Sequence, residues 1–150
     1  MDPLSLLPHR YPFLLVDSID EVEAGRSARG TKLVTGSEWL IVGTRETHVQ
    51  RAMPHTLIVE ALAQLSAAVM HGLLDGSAGA IGYFMGMNNA RFRGTAAPGD
   101  VLSLRVTLKQ FRRGICKTHG EATIEGRSIV RVDITSIVRP AAASAQAHVA

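Results

Sequence analysis

Apolar positions along this chain follow two different spacings. Phe13-Leu14-Leu15-Val16 is a short unbroken apolar run suited to a strand, and Arg29 to Val34 suits a second. After Met53-Pro54 comes HTLIVEALAQLSAAVMHGLLDG, rich in alanine and leucine, with proline at its start and Gly76 near its end. Those signals predict a helix over 54–75. Its apolar residues (Leu57, Ile58, Val59, Leu62, Leu65, Val69, Met70, Leu73) run almost all the way round. A helix of that kind is enclosed by protein and does not lie on a surface.

Beyond the helix the period becomes two. Leu102, Leu104, Val106 and Leu108 alternate with Ser103, Arg105, Thr107 and Lys109, which predicts a strand over Val101–Lys109. Ile115–Ile124 and Ile129–Val138 follow as strands, after the junctions Arg113-Gly114 and Gly126-Arg127, both hairpin candidates. In the last strand Val130, Val132, Ile134 and Val138 form one face. Residues 80–92 supply another strand before the Pro98-Gly99-Asp100 turn. Residues 140–150 carry no period and are expected to be a disordered tail. One domain over 1–139 is therefore expected, of the α+β class, with an antiparallel sheet wrapped around one long central helix. A sheet of this size cannot cover such a helix on every side, so a second copy of the chain is expected to complete the enclosure.

Composition narrows the function classes. Hydrophobic residues make up 46% of the 150 and charged residues 19%, enough for a packed core. One cysteine, Cys116, excludes an internal disulfide framework and a zinc site built on several thiolates. The six histidines show no tight ligand spacing, so no metal and no cofactor is expected; no glycine-rich phosphate loop or nucleophile elbow appears. Pro3, Pro8 and Pro12 break the start of the chain, unlike a secretory leader. No apolar run approaches the roughly 20 residues that cross a bilayer. The expectation is a cytoplasmic protein with no membrane partner. Net charge is only +3, yet seven basic residues and one acidic residue lie between Arg91 and Lys117. Such a field attracts an acidic partner. With only Phe92 and Phe111 available there for stacking, that partner is not expected to be nucleic acid.

Candidate chemistry sits on the helix. Thr56, Glu60 and Gln64 are spaced four apart, with His71 further along near the same stripe. A carboxylate among Val59, Ala61 and Leu62 is costly to bury ionised, the condition that suits a general acid or base near neutral pH. The alternative is an exposed acidic residue favoured by the helix dipole in the first turns.

Pro8-His9-Arg10-Tyr11-Pro12-Phe13-Leu14-Leu15-Val16-Asp17, Met53-Pro54 and Leu57-Ile58-Val59-Glu60-Ala61-Leu62-Ala63-Gln64 stand in order along the chain. Tyr83-Phe84, Asn89-Ala90-Arg91-Phe92, Pro98-Gly99-Asp100 and Arg112-Arg113-Gly114-Ile115 follow. With these segments the chain resembles the (3R)-hydroxyacyl-acyl-carrier-protein dehydratases of fatty acid synthesis from about residue 6 to 139. The resemblance implies the hot-dog fold, a homodimer often assembled further into a trimer of dimers, and active sites at the dimer interface beside an acyl tunnel. It implies that Glu60 is the helix carboxylate that shares proton transfer with a histidine. Gln64 is then the polar residue one turn on, orienting water or Glu60, and helix N-terminal N–H groups hold the thioester oxygen. Tyr83 and Phe84 are expected to border the acyl chain. Arg91, Arg93, Lys109, Arg112 and Arg113 are expected to dock the acyl carrier protein. His9 to Pro12 is read as a packed entry turn, and His119 as a solvent-facing strand residue.

The family's histidine does not carry over. The family writes glycine, histidine, phenylalanine and proline shortly before Met-Pro-Gly, whereas this chain reads Gly43-Thr44-Arg45-Glu46-Thr47-His48-Val49-Gln50-Arg51-Ala52-Met53-Pro54-His55. Thr44 or Glu46 takes the histidine's place, depending on the side from which the segment is aligned. His48 and His55 are the two candidate partners for Glu60. The rival readings are a hot-dog thioesterase that uses the helix carboxylate with water, and a binder of acyl thioesters that has lost dehydration.

Overall fold

Two tight turns set the register of half the sheet. Arg113 and Gly114 both take positive φ (51° and 77°), as do Glu125 and Gly126 (49° and 79°), the backbone signature of two-residue type I′ hairpins. The second turn is thus one residue earlier than the Gly126-Arg127 junction expected. In the computed structural model, which describes residues 1–36, 52–71 and 81–139, these turns join β4 (Val101–Arg112), β5 (Ile115–Ile124) and β6 (Arg127–Arg139). β1 (Ser18–Glu23), β2 (Ser27–Leu33) and β3 (Ile81–Phe92) complete one sheet in the order β1-β2-β4-β5-β6-β3, antiparallel at every pairing. The sheet curls around α1 (His55–His71), the α+β hot-dog arrangement expected. Residues 72–75 of the expected helix, the 140–150 tail and the segment carrying His48 lie outside the described residues.

The alternation read from sequence is what faces α1. Leu102, Leu104 and Val106 of β4, Ala122 and Ile124 of β5, and Val130, Val132 and Ile134 of β6 are buried, with Ile58, Leu62, Leu65 and Val69 of the helix in the same core. Helix and sheet approach closely because two strand positions lack a side chain. A Cβ on Gly120 would stand 3.1 Å from Leu62 Cδ1, and one on Gly30 would stand 3.3 Å from Leu65 Cδ1. A buried polar contact also crosses this interface. Ser66 Oγ donates to the Leu62 carbonyl at 2.9 Å, so Thr118 Oγ1 on β5 is the donor in the 3.1 Å bond between the two hydroxyls.

One expected strand is not a strand. Phe13–Val16 makes no sheet pairing, and the first strand is Ser18–Glu23 instead. The apolar content of Phe13–Val16 serves burial, with Leu15 and Val16 in the core, while its backbone groups are satisfied by a helix side chain. β1 escapes the sequence pattern because a register shift between Ile19 and Glu21 interrupts its alternation and only Ile19 is fully buried.

The helix is enclosed on most of its circumference but not all. Thr56 and His71 are exposed and Glu60, Ala63 and Ala67 half-buried, a single stripe at spacings of three and four. Among the described residues β3 forms the far edge of the sheet, paired only with β6, and it carries Tyr83, Phe84, Met85 and Met87 in exposed positions.

Candidate active site on the central helix

Gln64 organises the site. Its side chain is 1% exposed, and it makes three hydrogen bonds there. Oε1 accepts from the Leu15 N–H at 2.9 Å, which fixes which way the amide faces. Nε2 therefore points the other way and donates both its hydrogens, to the Phe13 carbonyl at 2.8 Å and to Glu60 Oε1 at 2.9 Å. The i, i+4 spacing puts Glu60 and Gln64 on neighbouring turns of one face. One amide thus ties the carboxylate to the segment crossing in front of it. Glu60 is half-buried, its side chain 28% exposed. Its Oε2 has no hydrogen-bond partner among the described residues.

His9 joins this cluster, although it is the histidine that the sequence reading assigned to packing alone. Its Nε2 lies 3.9 Å from Glu60 Oε1. The turn that carries it closes through the Phe13 N–H on the Arg10 carbonyl at 2.8 Å, and Arg10 Nη1 donates back to the Leu7 carbonyl at 2.9 Å. The signal available in sequence was the polar HRY triplet directly before the apolar run whose backbone Gln64 holds. No spacing rule connects it to a helix some fifty residues on.

The other candidate residues are placed as follows. His55 opens α1, but its Nε2 is bonded to the Gly94 carbonyl at 2.8 Å and its ring packs against Phe92 with centroids 5.2 Å apart. The structure does not bring it to Glu60. His48 lies outside the described residues. At the helix start the Leu57 N–H bonds the Pro54 carbonyl at 2.9 Å, while the N–H groups of His55 and Thr56 have no acceptor among the described residues. Open N–H groups at the positive end of a helix dipole are suited to hold developing negative charge. They lie about 7 Å along the axis from Glu60, at 1.5 Å per residue.

Tyr83 and Phe84 sit on the edge strand opposite Ile137 and Ser136 and are about half exposed. The basic residues fall at two ends of the sheet. Arg91 pairs with Arg131, towards the β5–β6 turn, and Arg93 follows it. Lys109, Arg112 and Arg113 lie at or near the β4–β5 turn, where Ile115 pairs with Ile137. Six residues of β6, about 20 Å of strand, separate the two groups within one chain. His119 is on the outer face as expected, and there its Nδ1 bonds Asp133 Oδ1 at 2.7 Å. Hydrogen bonds from Asn89 and His119 hold the Asp133 carboxyl below its usual range. This pair stands on the sheet face turned away from the helix, as does a shallow depression of about 380 Å³ between Asp20, Arg29, Arg105 and Glu121. Neither touches Glu60. Among the described residues no group of three or more metal-ligating side chains occurs, and no helix is long and apolar enough to cross a membrane.

Comparison with known proteins places this geometry. A model of the FabA-like domain matches residues 7–133. The chain is 40% identical over 140 residues to the 3-hydroxyacyl-acyl-carrier-protein dehydratase FabZ of Syntrophotalea carbinolica, covering 93% of this chain and 94% of that protein. It is 42% identical over 130 residues to the enzyme of the same name from Bacillus subtilis, covering 87% and 90%. Among solved structures, the dehydratase heterocomplex ApeI:P of Xenorhabdus doucetiae superposes with a TM-score of 0.78 at 17% identity, covering 93% of this chain and 91% of that one. A hypothetical thioesterase of Streptococcus pneumoniae, solved with coenzyme A, gives 0.62 at 17% identity, covering 81% and 84%. At such identities the two structures speak for the fold alone.

Proposed function

This chain belongs to the FabA-like family, with the FabZ dehydratases as its relatives over most of its length, and from that premise we propose that it removes water from 3-hydroxyacyl thioesters carried on acyl carrier protein. The observation that carries the reading is the Glu60–Gln64 pair: a carboxyl held by one oxygen on a mostly enclosed helix, with the other oxygen free of partners among the described residues. Such a group can exchange a proton with a bound substrate without first losing a partner.

The reaction balances with two groups. A base takes the α-proton next to the thioester, and the electrons of that C–H bond form the new double bond as the β C–O bond breaks. An acid gives its proton to the leaving hydroxyl, which departs as water. The thioester oxygen, where negative charge builds, is held by the open N–H groups of His55 and Thr56. Glu60 is one of the two proton-handling groups. His48 is the other in this reading, because the His55 imidazole is engaged by Gly94 and Phe92.

Two copies of the chain form the working unit. The half-buried stripe of Glu60, Ala63 and Ala67 and the apolar edge strand β3 both call for cover, and an exposed unpaired strand is a template for pairing. Antiparallel pairing of β3 with its copy would carry the partner's Arg91 and Arg93 towards the end of the sheet where Arg112 and Arg113 lie. The two basic groups would then meet as one surface for an acidic carrier. Tyr83 and Phe84 would lie along the same seam, beside the acyl chain.

The test is interconversion of 3-hydroxyacyl and 2-enoyl thioesters by the purified protein, followed at the enoyl absorbance. Glu60→Gln is expected to lower turnover at least about a hundredfold, the scale of general acid–base catalysis. His48→Ala is expected to do the same, and His55→Ala to cost little. Free thiol release without enoyl product marks a thioesterase, and binding with neither product marks an acyl binder; either result removes the dehydratase reading.

A further inference from the structure

The proton chemistry above uses Glu60 and leaves the imidazole beside it unexplained. His9 Nε2 stands 3.9 Å from Glu60 Oε1, the same oxygen that accepts from Gln64 at 2.9 Å. The other ring nitrogen, Nδ1, is buried with no hydrogen-bond partner among the described residues. A buried polar atom without a partner lowers stability, so packing alone is a poor reason for an imidazole at this place. The environment also selects a tautomer. A proton on Nδ1 would bury an unsatisfied donor, whereas a proton on Nε2 leaves only a lone pair inside and turns the N–H towards Glu60. Both neighbours of the carboxyl group then face Oε1 as donors, and Oε2 is left to gain and lose the proton.

We propose that His9 is a positioning residue for Glu60, acting with Gln64 to fix Oε1 as the accepting oxygen so that Oε2 is the one presented to the substrate. The inference rests on Glu60 handling a proton in the reaction. The anchoring is shared, because Gln64 also binds the Phe13 carbonyl at the end of the turn that carries His9. Displacing that turn would therefore displace the imidazole and the carboxylate together.

A double-substitution cycle in the full-length protein tests this with a soluble 3-hydroxyacyl thioester. His9→Phe keeps a ring and loses both nitrogens. It is expected to lower kcat about tenfold, the scale of losing a polar contact held 3.9 Å from the carboxyl group, with KM within about twofold. Its Tm should be equal to or above that of the native protein, since the unpartnered nitrogen is gone. In the Glu60→Gln background the same change is expected to alter the residual rate less than about twofold. His9→Gln, which keeps an N–H donor on that side, is expected to recover at least about a third of the native kcat. Should His9→Phe not fold, His9→Ala and His9→Gln supply the same comparison. A kcat loss of equal size in both backgrounds overturns the inference, as does full activity of His9→Phe beside an inactive Glu60→Gln. Full turnover by Glu60→Gln alone overturns the role of Glu60 and this inference with it.

Discussion

At the scale of single residues, burial sets the chemistry of two side chains in opposite ways. Gln64 is buried and fully bonded, so it works as a fixed bracket between Glu60 and the backbone of Phe13 and Leu15. Cys116 is buried against Met70, with its Sγ 3.4 Å from the thioether sulfur, and loss of solvation pushes the thiol up to about 11. A thiol that keeps its proton longer when folded supports the fold fully below the unfolded value near 8.5. That support is withdrawn as pH climbs towards 11. The urea midpoint of the native chain should therefore fall more steeply between about pH 9 and pH 11 than that of Cys116→Ala, and equal slopes would contradict the assignment. The Glu60–Gln64 contact was legible because four residues is one helical turn. The approach of His9 was not, since it depends on where a long connection returns, and no local spacing encodes that.

At the scale of elements, the close seating of α1 on the sheet depends on missing side chains as much as on those present. Gly30 is the tightest point. A Cβ there would meet a backbone oxygen of β1 at 2.6 Å and Leu65 Cδ1 at 3.3 Å, and backbone cannot swing away as a side chain can. Gly30→Ala should cost about 1–3 kcal/mol, the usual range for overpacking. Thermal melting should show this as a fall of roughly 2–4 °C per kcal/mol. An unchanged Tm would mean that β1 gives way freely. The strands with clean alternation, β4 and the buried faces of β5 and β6, were readable from sequence because one face meets the helix and the other meets solvent. Phe13–Val16 misled for a physical reason: an apolar run signals burial, and burial here comes with side-chain rather than strand partners for the backbone.

At the scale of the whole molecule, the proposed pair of chains rests on a sheet that ends in an apolar edge and on a basic surface divided between two ends. Met85→Asp, on the exposed edge, is expected to sediment as a monomer where the native protein sediments as a dimer or a multiple of one. Arg112→Glu combined with Arg113→Glu should leave assembly intact and weaken turnover of a carrier-borne substrate. A small thioester should be spared, and the gap should be widest at low salt. Equal loss for both substrates, or a dimeric Met85→Asp, would contradict the arrangement. That one sheet leaves a stripe of the helix uncovered was legible in a helix too apolar for one small sheet to enclose. The division of the basic residues was not, because residues close in sequence at 91–117 are distributed by strand register that only the folded sheet reveals.

The strand order also carries a consequence for how the chain is made. β3 is synthesised before β4, β5 and β6, yet its hydrogen-bonding partner is β6, the last of them to leave the ribosome. For the interval in which those three strands emerge, the nascent polypeptide holds a strand bearing Tyr83, Phe84, Met85 and Met87 whose pairing partner has yet to be made. A stop codon between Phe92 and Arg127 would make that waiting permanent, and the fragment would be a stickier object than the finished enzyme.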